Sequence, residues 1–125
     1  MTKIARFEDL QSRQRARVLA NAVYDLTAQS AFSKDLNLRR QIQNAAGSVM
    51  HNIAEGFDAG ARLEFIRFLK IARRSASEVQ SELYLALDRE YITPEELTSV
   101  YALATETKRL INGMIGYLRK SRPTT

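Results

Sequence analysis

The sequence predicts an all-α protein, an antiparallel up-down-up-down four-helix bundle, on three observations. Apolar residues recur at steps of three and four through most of the chain. Only five glycines and two prolines interrupt it. No stretch alternates with the period of two that marks a half-buried strand. At 125 residues the chain is long enough for one domain, 1–125, with its own core, and too short for two of ordinary size.

The first helix is expected over about residues 9–28, with Ala16, Leu19, Val23 and Leu26 as its core stripe. Arg6, Arg13, Arg17 and Tyr24 stand at i, i+7, i+11 and i+18. If helix extends back to Arg6, three cations and an aromatic ring share a face turned away from the core. Residues 29–37 read as a loop, and Asn37 as the N-cap of a second helix over 38–55. Its stripe is Ile42, Ala46, Val49 and Ile53, and Gly56 is placed to end it in the left-handed conformation. Arg39 and Arg40 in its first turn oppose the helix dipole, so they call for an acid such as Asp35 or for an external anion.

After the turn FDAGA a third helix is expected over 61–89. Phe65, Leu69, Ala72, Ala76, Val79, Leu83 and Ala86 step alternately by four and three, the seam of a helix packed lengthwise at about +20°. A second apolar line, Phe68 and Ile71 leading to Ser75, exceeds what one bundle face needs. It marks Phe68 and Ile71 as candidate subunit contacts. The fourth helix opens on a capping box, Thr93 with Glu96, and Pro94 at its first position. Its stripe runs Leu97, Val100, Ala104, Thr107, Ile111, Met114 and Leu118. Gly113 and Gly116 are expected where another backbone approaches closely, and residues 119–125 as a mobile tail.

Charge is the next signal. The net charge is +5, from 14 Arg and 5 Lys against 14 acids, and it divides as +3 over residues 1–20, −3 over 21–107 and +5 over 108–125. In an antiparallel bundle both termini and the second turn meet at one end. Lys3, Arg6, Arg119, Lys120 and Arg122 then form a basic cap, with Arg62 and Arg67 near it and Glu55, Asp58 and Glu64 partly offsetting them. Asp88, Glu90, Glu95 and Glu96 make the opposite end acidic. Arg67, Lys70 and Arg74, at i, i+3 and i+7, form a cationic line on the third helix with Arg73 beside it. The candidate phosphate contacts are thus Arg6, Arg13, Arg17, Arg67, Lys70, Arg73, Arg74, Arg119, Lys120 and Arg122, read by charge with little base specificity. The alternative is a solvated surface whose charge serves solubility.

Other chemistry is sparse. Without cysteine there are no disulfides, thiolate metal sites or cysteine nucleophiles. His51 and Glu55, at i and i+4, could share a metal or a proton. One histidine and no Glu-x-x-His pair do not make a di-metal bundle site, and no nucleophile, base and orienting group can be assembled. The expectation is no enzyme activity, no metal and no cofactor, with Glu55 answering a cation or hydroxyl among Arg73, Arg74, Ser75 and Ser77. The opening MTKIARFEDL lacks an apolar signal core. No apolar run approaches the roughly 18 residues of a membrane span, so a cytoplasmic protein without membrane contact is expected.

Three segments, FEDLQSRQRAR, SVMHNIAEGF and LEFIRFLKIARRSASEVQSEL, resemble the bacterial four-helix-bundle proteins first noted as products of intervening sequences in 23S ribosomal RNA. The likeness runs from about Phe7 to Leu118 and rests on the order and spacing of NIAEG, EFIRFL and SASE. It implies a homo-oligomeric ring, a pentamer, similar in fold to accessory proteins of diversity-generating retroelements that bind nucleic acid and a reverse transcriptase. No enzyme activity comes with it. The sequence departs from the family pattern at Arg13, often Trp, at Met50, often Pro, and at Arg74, often Gly. Two functions follow as expectations: electrostatic binding of RNA or DNA, or a structural adaptor for another protein with the positive charge incidental.

Overall fold

The computed structural model describes residues 10–120, and within them it is helical throughout, with short turns and no strand. The helices are α1 (Gln11–Thr27), α2 (Ser30–Lys34), α3 (Leu36–Asp58), α4 (Arg62–Asp88) and α5 (Pro94–Lys120). The four long ones form the bundle. α1 packs on α3 and α5, and α4 packs on the same two from the other side. Cross-helix contacts fix the directions as antiparallel. Ser48 of α3 meets Ser75 of α4 while Gly56 lies under Phe68. Arg73 and Arg62 of α4 reach Asn112 and Leu118 of α5.

The predicted stripes are the core. Ala16, Leu19, Val23 and Leu26 are buried on α1, Ile42, Ala46, Val49 and Ile53 on α3, and Leu69 through Ala86 of the heptad seam on α4. Phe65, at the start of that seam, is only half-buried, and α4 adds Ile66. On α5, Val100, Ala104, Thr107 and Ile111 are buried, Leu97, Met114 and Leu118 are partly so, and Ile115 joins them. The α5 capping box is present as read. Thr93 N–H donates to Glu96 Oε1 at 2.9 Å, and Glu96 N–H donates to Thr93 Oγ1 at 3.1 Å.

The turns differ from expectation. Residues 29–37 are not a plain loop, because Ser30–Lys34 winds into the short helix α2. Its reason is tertiary: Phe32 is fully buried and stacks on Tyr91 at 5.3 Å. The N-cap of α3 is Asp35 rather than Asn37, with Asp35 Oδ1 accepting from Leu38 N–H at 3.1 Å. Asp35 Oδ2 also accepts the Tyr91 hydroxyl at 2.9 Å, which ties this turn to the α4–α5 turn. Both bonds hold the Asp35 carboxyl below its usual range, the Leu38 N–H contributing most. Arg39 finds no acid among the described residues; its Nη1 donates to the Ser33 carbonyl at 3.1 Å.

Gly56 does not end α3. It stays helical, and the left-handed residue of the turn is Gly60, at φ 77°. Gly56 is needed for packing instead, since a Cβ there would lie 2.9 Å from Phe65 Cδ1 and 2.9 Å from Phe68 Cβ. Gly113 and Gly116 are the reverse case. A Cβ on either would meet nothing within 4 Å among the described residues, so no backbone approaches them. Arg119 and Lys120, read as tail, form the last turn of α5, where cations complement the negative end of the helix dipole. Leu10, at the start of α1, lies beside Met114 and Tyr117, and Arg62 Nη1 donates to the Leu118 carbonyl at 3.3 Å. The start of α1, the α3–α4 turn and the end of α5 therefore share one end of the bundle, as the topology requires.

Candidate functional site

The long antiparallel contact of α4 and α5 leaves a groove on its solvent side, and cations from both helices gather there. Lys70, Arg73, Arg74 and Ser77 of α4 face Lys108 and Asn112 of α5 around a concavity of about 400 Å³, and none of these six residues is acidic. The helical period explains the α4 half. Arg73 and Ser77 are one turn apart on the flank toward α5, with Lys70 and Arg74 one turn apart just outside them.

Two hydrogen bonds shape this groove without neutralising it. Arg73 Nη1 donates to Asn112 Oδ1 at 2.6 Å, and Lys108 Nζ donates to Ser77 Oγ at 3.2 Å. Both cations are oriented by neutral oxygens, so four positive charges remain available to one ligand. Such a concavity suits phosphate, which takes several N–H donors at once.

The other predicted contacts fall elsewhere. Arg67 is exposed and held by an acid: its Nε and Nη2 donate to the two Glu64 carboxylate oxygens at 2.9 and 3.2 Å, and its guanidinium lies 4.4 Å from the centre of the Phe68 ring. Arg17 and Tyr24 are exposed on α1, whereas Arg13 of the same proposed face is half-buried. Arg119 and Lys120 are exposed at the bundle end beside Arg62. Arg6, Arg122 and Lys3 lie outside the described residues. The described candidate cations thus resolve into a groove, a bundle end and the separate α1 face of Arg13 and Arg17, with Arg67 committed to Glu64. Lys108 and Asn112 escaped the sequence reading because the stagger of α5 against α4 leaves no periodic trace.

Phe68 and Ile71 are half-buried in the single chain, on the α3 side of α4. Gly56 lets Phe68 in close to α3, so part of this second apolar line is explained by intrachain packing. The polar contact in the same seam is Ser48 Oγ to Ser75 Oγ at 2.8 Å, with Asn52 Nδ2 donating to Ser48 Oγ at 2.9 Å.

His51 and Glu55 are exposed on α3. Glu55 does not meet Arg73, Arg74, Ser75 or Ser77: Arg73 and Arg74 line the α5 groove, Ser75 is engaged by Ser48, and Ser77 by Lys108. Among the described residues no group of three or more His, Cys, Asp or Glu side chains is placed to hold a metal, and no helix is long and apolar enough to cross a membrane.

The sequence matches the family described as 23S rRNA-intervening sequence protein over residues 8–113. A crystal structure of a protein of unknown function from the S23 ribosomal protein family of Bacteroides thetaiotaomicron is similar to this chain. The two are 27% identical, superpose with a TM-score of 0.78, and the match covers 84% of this chain and 95% of that one. Among curated proteins no significant match is found.

Proposed function

The chain belongs to the 23S rRNA-intervening sequence protein family, and on that premise we propose that it is a non-enzymatic cytoplasmic homo-oligomer, a ring of five, that binds RNA or DNA through its basic surfaces. The observation that carries the nucleic-acid part is the α4–α5 groove, where Lys70, Arg73, Arg74 and Lys108 converge with no acid among the lining residues. Arg62, Arg119 and Lys120 extend the positive field at the bundle end. Five copies at +5 each would carry about +25, enough to draw a polyanion from a distance and too diffuse to read sequence. The self-assembly part is supported by the apolar side chains Phe68 and Ile71, which the single chain leaves only partly buried.

Fluorescence anisotropy with labelled RNA and DNA of mixed sequence, titrated across salt, tests the binding. Affinity is expected to fall linearly on a log–log plot against salt. No binding of either at about 50 mM salt overturns it. Light scattering tests the assembly: a pentamer is expected for the parent and a smaller species for Ile71→Glu, and a monomeric parent overturns it.

A second reading, an adaptor for another protein, is motivated by two exposed apolar side chains, Leu63 and Leu85, near opposite ends of α4. Recovery of a stoichiometric protein partner after nuclease treatment, with no nucleic-acid binding, would select it.

A further inference from the structure

The cationic groove is one end of a longer seam between α4 and α5. Beyond Ser77 and Lys108 the seam is closed by Gln80, buried, whose Nε2 donates to Thr105 Oγ1 at 2.9 Å and to the Tyr101 carbonyl at 3.3 Å. It then opens into a second, more apolar concavity of about 440 Å³ lined by Tyr84, Leu97, Tyr101 and Ala102, with Thr98, Thr105 and Glu106. The two rings meet edge to face, with centroids 5.7 Å apart and planes at 70°. Tyr84 remains 49% exposed, so much of its surface is free for another contact. Ser77 to Tyr84 on α4 and Lys108 to Tyr101 on α5 are each two helical turns, about 10 Å, so cations and rings lie within a few nucleotides of each other. The acid at the margin, Glu106, is already engaged by Arg109 at 2.7 Å, which lowers the repulsion it offers a phosphate chain.

We infer that this seam is a track for single-stranded nucleic acid, with backbone phosphates in the Lys70, Arg73, Arg74 and Lys108 groove and an unpaired base stacked on Tyr84. The inference rests on the nucleic-acid reading above and narrows it to strands with accessible bases. Cations alone would take a duplex as readily, because the phosphates of both forms are exposed. An exposed aromatic ring on the same seam adds a contact that only an unstacked base can make, and it is tolerant of base identity because every base has a π-face. The edge-to-face contact with Tyr101 restrains the Tyr84 ring, which lowers the side-chain entropy lost on stacking.

The test compares labelled oligothymidylate, oligouridylate and a duplex of equal length by anisotropy, with the parent protein, Tyr84→Ala, Tyr84→Phe and the double variant Lys70→Glu with Arg74→Glu. Both single strands are expected to bind more tightly than the duplex. Tyr84→Ala should weaken them at least about fivefold and leave the duplex unchanged, and Tyr84→Phe, which keeps the ring, should match the parent. The double variant should weaken single strand and duplex alike. The two homopolymers separate RNA from DNA as the tighter ligand. Equal affinity for strand and duplex, with Tyr84→Ala matching the parent, overturns the single-strand track and leaves electrostatic nucleic-acid binding intact. Absence of binding to all three probes overturns both.

Discussion

Arg73 Nη1 donates its 2.6 Å hydrogen bond to the Asn112 amide oxygen, so the guanidinium is fixed in the α4–α5 groove by a partner that leaves its charge whole. Replacing that amide with a carboxylate of the same shape separates charge from fold. Asn112→Asp is expected to change stability by no more than about 1 kcal/mol, since a pair at this exposed site is weak. Nucleic-acid affinity should nevertheless fall, and the log–log salt slope should lose about one unit, because one phosphate contact is answered internally. Anisotropy across salt measures both. An unchanged slope would place the phosphate contacts elsewhere.

Gly56 and Gly113 make opposite predictions for the same substitution. Alanine in a helix interior ordinarily gains up to about 1 kcal/mol over glycine, and Gly113→Ala, with nothing within 4 Å of its new methyl group, should raise the melting temperature. At Gly56 the methyl would press to 2.9 Å against Phe68 Cβ, an atom next to the α4 backbone that cannot swing aside. Overpacking of this kind costs about 1–3 kcal/mol, so Gly56→Ala should lower the melting temperature despite the gain in propensity. A rise in both variants would mean that α4 shifts freely away from α3.

What the sequence revealed and what it hid divide along one physical line. Features set by local spacing were legible: the Thr93–Glu96 capping box, the seam from Leu69 to Ala86, and the end of the bundle at which Arg62 and Arg119 gather. Features set by one helix sliding against another were not. Gly56 and Gly60 are equally plausible helix enders by composition, and only the approach of Phe65 and Phe68 decides between them. The helix α2 is too short for any periodicity and exists because Phe32 is anchored on Tyr91. The groove was half legible. Its α4 cations form a line in the sequence, but Lys108, Asn112 and the Tyr84–Tyr101 pair depend on the register of α5 against α4.

Glu90 carries a third stability prediction. It adopts φ 61° just past Arg89, the C-cap of α4, where Tyr91 N–H donates to the Ala86 carbonyl and Glu90 N–H to the Leu87 carbonyl, each at 2.9 Å. These are the two bonds of a Schellman motif, whose left-handed position favours glycine. A side chain there costs roughly 1–2 kcal/mol, part of which glycine returns through the freedom it gains in the unfolded chain. Glu90→Gly is expected to stabilise by up to about 1 kcal/mol, whereas Glu90→Ala, which keeps the Cβ, should not. Chemical denaturation of the three proteins checks the order.

The last prediction concerns pH and turns on Glu82. Its side chain is buried on α4 at 6% exposure, and its Oε1 has no hydrogen-bond partner among the described residues. Burial first, and the charge of Glu78 second, push its carboxyl up to about 7 from an ordinary 4.5. The folded state therefore binds a proton that the unfolded state releases between those values, so stability falls as pH rises from about 4.5 to 7 and levels off above. Asp35 and Glu96 act with the opposite sign. The Leu38 and Thr93 N–H groups, then Tyr91 and Gln29, hold their carboxyls below the usual range, so their contribution is present at neutral pH and lost on acidification. Glu82→Gln keeps the shape and removes the titration. Denaturation midpoints near pH 8 should be higher in the variant than in the parent, while near pH 4 the two should converge, because Glu82 is then mostly protonated in both states. A variant with the parent's profile throughout would mean that water reaches the Glu82 carboxylate and that the seam between α3 and α4 opens more readily than its packing implies.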